Sequence, residues 1–322
     1  MRPAGERLYL YLNSRMIFFM LFAMACGWLA GGRLAIMRDI VPLMFAYMTF
    51  VTALKTSWKD LGIIFRKPLP LISIVVLQHI LMPFIASILS NVLFAGRHEL
   101  ILGYILMAAL PVGITAVIWT GLGKGDVALS LTAATVDTLL SPIVVSAVLL
   151  FFAGQQATLD YSAMIRGLVK MIVIPSVLGL TINDLSRGSF YDRSIRYLGI
   201  PSFICMCMVI TINVGMAQKS AAEMFSRAPM IVMLTLTLTL TGFLSGLLLA
   251  KLFGFKESAV ISSVYCSGIR NTSVGLVLAI GHFPVEASIP VLVAMMFQQP
   301  LAAVAQKLLN RGQTPAHNHS QT

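Results

Sequence analysis

Apolar residues in this chain come in long runs, and the stretches between them carry nearly all the charge. Ten runs are read as spans: 16–37, 40–54, 69–95, 99–121, 127–152, 164–183, 197–217, 228–252, 257–281 and 285–307. A spanning helix needs about 20 predominantly apolar residues. The pattern therefore predicts an all-α, polytopic membrane protein with ten transmembrane helices. The second run is short, and the fourth and ninth are interrupted. The first follows Arg2, Arg7 and Arg15 but is not read as a signal peptide, because no A-x-A-like site follows it and more spans do.

Ten spans divide into five and five, and an odd number per half turns the halves upside down relative to each other. The expected organisation is two inverted five-helix repeats, 1–155 and 161–311, followed by a disordered polar tail, 312–322, whose His317 and His319 are solvated. The interruptions fall at matching places. Helix 4 contains Leu110-Pro111-Val112-Gly113-Ile114-Thr115, and helix 9 contains Ser267-Gly268-Ile269-Arg270-Asn271-Thr272-Ser273; Gly113 and Gly268 are 155 residues apart. Proline removes a backbone donor and glycine permits unwinding. Backbone freed in this way must be buried in protein or face water, since lipid offers no partner. Paired discontinuous helices near the midplane are where secondary transporters hold substrate, so helices 4 and 9 are expected to break and cross at a transport site.

Composition agrees with the pattern. Of 322 residues, 58% are hydrophobic and 11% charged, and the mean hydropathy is +0.88. A soluble domain has about 25% charged residues, so these figures exclude one. The four cysteines lie in apolar runs and suggest neither disulfides nor a metal pair. The net charge of +11 comes from basic residues scattered singly, with no basic face for nucleic acid. It reads instead as loop charge: 15 of 23 Lys and Arg lie on the side of the termini and seven on the other, with Arg270 inside the membrane. That bias places both termini in the cytoplasm, in the cell (bacterial inner) membrane.

Two ionisable residues lie deep within spans: Asp137 in helix 5 and Arg270 at the helix 9 break. A charge at the bilayer centre costs roughly 2.5–3.5 kcal/mol on insertion scales, so the two are expected to face one protected interior. Arg270 is read as the anchor of a carboxylate or sulfonate, matched by its planar fork and assisted by the positive helix end beside it. The plainer alternative is an ion pair that only locks two helices. Around Arg270 the expected substrate contacts are Asn271, Thr115, Ser267, Gln298 and Gln299. Asp137 is read as a proton-sensitive counter-ion, with Ser130, Thr138, Gln78 and Cys266 beside it. Thr211 and Asn213 are further polar residues within a span. His79 is read as a packing residue, and Trp119 as an anchor at the membrane interface.

These motifs resemble the bile acid:sodium symporter family. Pro111–Pro142, PVGITAVIWTGLGKGDVALSLTAATVDTLLSP, is similar to that family's helix 4–5 signature, in which P-G-G-T leads through R-G-N-V-A-L-S to T-S-P. VTALKTSWKDL…QHILMP and SGIRNTSVGLVLA are similar in their turn, and the likeness runs from about residue 40 to 305. It implies ten helices, a core of inverted repeats with crossed broken helices beside a separate panel, and sodium-coupled uptake of organic anions. The departures lie at the family's sodium positions. Ala116 and Val117 stand in place of Ser-Asn, Ala134 in place of Thr, Cys266 in place of Glu and Arg270 in place of Gln, while Gln78, Ser130, Asn271 and the backbone around Ser267 are retained. Sodium is a hard cation that wants oxygen ligands, and Arg270 is a candidate to occupy a cation's place.

The leading expectation is thus a secondary active transporter of a small organic anion, not coupled to sodium at the family positions, with protons as a candidate coupling ion. No metal or cofactor is expected. Three alternatives stand beside it. One is sodium symport with relocated ligands. Another is a metalloid (arsenite-like) efflux carrier using the soft thiol of Cys266. The last is a membrane-embedded enzyme, disfavoured because one deep carboxylate and no histidine cluster leave it without a catalytic constellation.

Overall fold

A computed structural model describes residues 8, 11–12, 15–59, 68–153, 160–223 and 225–312 of the chain. The tail expected to be disordered lies outside these residues from 313 onward. Fourteen α-helices follow one another, and the described residues form no strand beyond a single isolated bridge. They are α1 (Met16–Ala30), α2 (Val41–Ala53), α3 (Pro68–Val76), α4 (Met82–Leu93), α5 (His98–Ala109), α6 (Thr115–Leu122) and α7 (Val127–Ala153). The second half comprises α8 (Tyr161–Leu168), α9 (Ile174–Leu185), α10 (Ser189–Glu223), α11 (Ala228–Leu252), α12 (Glu257–Gly268), α13 (Thr272–His282) and α14 (Ser288–Gly312).

Among the described residues, seven helical stretches are long and apolar enough to cross a membrane: Phe18–Ala53, Pro68–Leu93, Val127–Phe152, Tyr161–Leu185, Ser189–Ser220, Ala228–Leu252 and Val285–Leu309. Three places separate this count from ten. Runs 16–37 and 40–54 are joined by a 3₁₀ segment, Gly31–Ile40, into one continuous stretch. Helices 4 and 9 are each divided in two, and the pieces fall below spanning length. The outer surface suits lipid: Ile36, Phe151 and Leu185 are 80–90% exposed, an arrangement that a hydrocarbon solvent favours.

Two kinks share one local cause. Pro83 and Pro175 each begin a helix, and each follows a π-helical turn, Leu77–Leu81 and Val169–Val173. A proline lacks the N–H that would bond four residues back, and the widened turn absorbs that loss. The first of these turns carries Gln78 and His79 into the protein, where both are buried.

Packing gathers the helices into two groups. Helix α10 lies along α1 and α2, and α9 packs on α2. Helix α14 packs on α5, α11 and α13, α12 packs on α6 and α11, and α7 lies against α5, α6 and α12. The two broken helices meet within this second group.

Candidate functional site

The breaks lie where the sequence places them. Helix α5 ends at Ala109, α6 begins at Thr115, α12 ends at Gly268 and α13 begins at Thr272. Leu110 and Ile269 adopt extended backbone. The two segments pair as an antiparallel bridge between Val112 and Arg270. Gly113 N–H donates to the Ile269 carbonyl at 2.9 Å, and Asn271 N–H to the Pro111 carbonyl at 2.8 Å. Each break thus satisfies the other's freed backbone where the two segments are largely buried. Gly113 is required by closeness: a Cβ there would stand 2.8 Å from the Arg270 carbonyl.

Helix α14 clamps the junction. Gln298 Oε1 accepts from Arg270 N–H at 3.2 Å, and Gln298 Nε2 donates to the Arg270 carbonyl at 3.1 Å. Gln299 Nε2 donates to Thr115 Oγ1 at 3.1 Å, while its Oε1 accepts from the Trp119 indole at 2.8 Å. Trp119 is held by this amide and stacks on Tyr265. A buried indole N–H needs an acceptor, and Gln299 of α14 supplies it.

Beneath the junction sits a charged layer. Asp137 is 2% exposed; its Oδ1 lies 2.5 Å from His79 Nε2, and its Oδ2 accepts from Val112 N–H at 2.8 Å. His79, read as a packing residue, is buried and is also the partner of the buried acid. Arg270 faces the same interior, as expected, but makes no salt bridge to Asp137. Its Nη1 donates to Gln78 Oε1 and, at 3.3 Å, to the Leu110 carbonyl, while its buried Nη2 has no partner. Gln78 Nε2 in turn donates to the Cys266 carbonyl at 2.8 Å. Ser130 pairs with Thr120 at 2.8 Å. Nothing in the sequence paired His79 with Asp137; the available signal was its position four residues before Pro83, where a proline opens the helix.

A cavity of about 430 Å³ lies on the other face of the junction, between the two helix groups. Of the expected site residues, it is lined by Arg270, Asn271, Thr115, Thr138, Gln298 and Gln299. Ser267, Gln78, Asp137, Ser130 and Cys266 are outside that lining. Thr211 donates to the Ala23 carbonyl at 3.1 Å, and it and Asn213 are away from the cavity. The first residues of α6 and α13 (Thr115, Thr272, Ser273 and Val274) open onto it, so two positive helix ends face the space. Lys55 lines it too, and among the described residues no Asp or Glu does. Lys55 was missed because in the sequence it reads as loop charge. Among the described residues, no group of three or more His, Cys, Asp or Glu could hold a metal ion.

Comparison with known proteins agrees with this architecture. Residues 41–224 match the model of the Sodium Bile acid symporter family. An uncharacterized protein of Bacillus subtilis, YbaS, is 35% identical over 274 residues, which cover 84% of this chain and 89% of that protein. The uncharacterized sodium-dependent transporter YocS of the same organism is 24% identical over 78% of this chain and 76% of its own. The probable sodium/metabolite cotransporter BASS1 of Arabidopsis thaliana chloroplasts is 24% identical over 64% of this chain and 50% of its own. Paired helix breaks in an apolar helical protein, a family match over more than half the chain and transporters among its relatives place this protein in the sodium bile acid symporter family, as a membrane transporter and not an enzyme.

Proposed function

We propose that this protein is a secondary active transporter of a small organic anion of the carboxylate or sulfonate class, working without sodium at the family's usual positions. One observation carries the anion class. The cavity at the junction is lined by Lys55 and by the Arg270 segment, faced by two helix N-termini, and bordered by no Asp or Glu among the described residues. Such a surface favours negative charge and repels cations. Asn271, Thr115, Thr138 and the two glutamines supply neutral hydrogen bonds for the rest of the substrate. Arg270, on the junction's rear, contributes its charge from behind the bridge.

The surroundings of Gln78 support the sodium part of the reading. Its side-chain oxygen is already taken by the Arg270 guanidinium, and its amide by the Cys266 carbonyl. Ala116, Ala134 and Cys266 contribute no side-chain oxygen, and Asn271 Oδ1 caps Val274 N–H. A hard cation finds too few free oxygens in such a set. The relatives named for sodium make this the reading's sharpest claim. Asp137, hydrogen-bonded to both His79 and the break, is the place for a coupling proton.

The two continuous halves of Phe18–Ala53 and the two broken helices, counted as crossings, bring seven to ten, arranged as repeats 1–155 and 161–311 inverted about the junction. Both termini are then cytoplasmic in the cell membrane. The test is uptake into proteoliposomes of a panel of carboxylates and sulfonates, with sodium, potassium or a pH gradient on the outside. Uptake unchanged by replacing sodium with potassium is expected. A steep, saturable sodium requirement, or transport of cations alone, would overturn the reading.

A further inference from the structure

The guanidinium of Arg270 is buried in the membrane domain, yet no carboxylate receives its fork. Nη1 points at oxygens instead: the side-chain oxygen of Gln78 and the carbonyl of Leu110, the residue that follows α5. Helix α12 ends close by at Gly268, its Cys266 carbonyl held by the same Gln78. Two half-helices thus bring their C-terminal, partly negative ends to one spot. The negative charge of Asp137 stands behind Val112 on the same junction. In carriers built on broken helices, such C-terminal ends and unwound carbonyls are where a coupling cation is held.

A second observation concerns Nη2. It is buried without a partner, and Arg270 borders a void of about 20 Å³ shared with Ser267, Thr239 and Gln298. Ser267 Oγ is likewise buried without a partner. Two residues that border one void thus each carry a buried polar atom without a partner. Truncating the side chain would join this void to the space that the guanidinium leaves, with the Gln78, Leu110 and Ser267 oxygens around it.

We propose that Arg270 is a resident cation: its guanidinium occupies an oxygen-lined site at the ends of α5 and α12, and a chain lacking it takes a free small cation there. Arg270 is then the residue that sets the carrier's ion requirement. The inference rests on the reading of sodium independence given above and supplies its cause.

The experiment is a thermal titration of purified wild type and Arg270→Ala in choline chloride, with choline replaced stepwise by sodium, potassium or guanidinium at constant ionic strength. Wild type is expected to show no cation-specific shift. Arg270→Ala is expected to melt lower in choline and to regain roughly 2–4 °C at a guanidinium or sodium concentration about five times the dissociation constant. Its uptake should recover over the same concentrations. Guanidinium must be kept in the low millimolar range, well below denaturing levels. A folded Arg270→Ala that responds to none of the three cations beyond choline overturns the proposal. If that variant cannot be purified in choline, Arg270→Gln is titrated in the same way and extraction yield with and without cation is read; equal yields overturn it too. Sodium-dependent uptake by the wild type strikes the earlier reading alone, because the variant's thermal response decides this one separately.

Discussion

Val112 and Arg270, 158 positions apart, face each other as an antiparallel bridge, and each carries a charged group's interaction into the junction. Val112 N–H is bonded to Asp137, and Arg270's side chain reaches Gln78 and Leu110. Backbone and charge are therefore one structure here: displacing either break moves both buried ionisable groups.

The bridge leaves no room for a side chain at Gly113. A Cβ would stand 2.8 Å from the Arg270 carbonyl and 3.1 Å from Ile269 Cγ2. Gly113→Ala should destabilise the protein by about 1–3 kcal/mol through overpacking and lower uptake more than tenfold. Gly281 has no atom near its would-be Cβ. Gly281→Ala, in the last turn of α13, should leave stability unchanged or raise it by up to about 1 kcal/mol. Detergent-solubilised melting curves for the two variants, beside uptake, check the contrast.

His79 and Asp137 should behave as one unit. Removing either strands a buried polar partner, which typically costs about 1–3 kcal/mol. A double-mutant cycle with His79→Gln and Asp137→Asn should give a coupling energy within the roughly 0.5–3 kcal/mol seen for residues in one network. The cycle Asp137→Asn with Arg270→Gln should give a smaller one, since those groups share backbone but no contact. Larger coupling in the second cycle would reinstate a direct ion pair as the lock between α7 and the break.

Gln299 connects the indole of Trp119 to Thr115 at the start of α6. Gln299→Leu should leave the Trp119 N–H without its acceptor and release Thr115. Trp119 fluorescence, isolated with Trp28→Phe and Trp58→Phe, should shift as the ring loses its fixed environment, and uptake should fall severalfold. An unchanged spectrum would show that the ring is held by its stacking on Tyr265 alone.

Lys55 borders the cavity and also lies over the ring of Tyr191, 5.9 Å from its centroid. Lys55→Gln should raise the KM for an anionic substrate severalfold while leaving the maximal rate nearly intact, because it removes attraction without disturbing the junction. The loss should shrink at high salt, where the wild-type advantage is screened. A fall in maximal rate with unchanged KM would place Lys55 in the conformational cycle and not in substrate attraction.

Whatever depends on the local chain was legible in the sequence. Apolar runs of spanning length marked a membrane protein, because lipid demands them. Proline and glycine marked the interruptions at Pro111–Thr115 and Ser267–Asn271, because both act on the backbone within one turn. The polar residues Gln298, Gln299 and Thr138 stood out within apolar spans, and all three line the cavity. What required two distant segments to meet was decided by tertiary structure. Asp137 found His79, 58 positions away, because a π-helical turn before Pro83 carries that ring inward. Trp119 met Gln299 across 180 positions, and Lys55 joined the cavity because α2 packs beside it. A pair of unlike charges in an apolar sequence shows that each needs a partner; only the packing of helices determines which partner lies within hydrogen-bond distance.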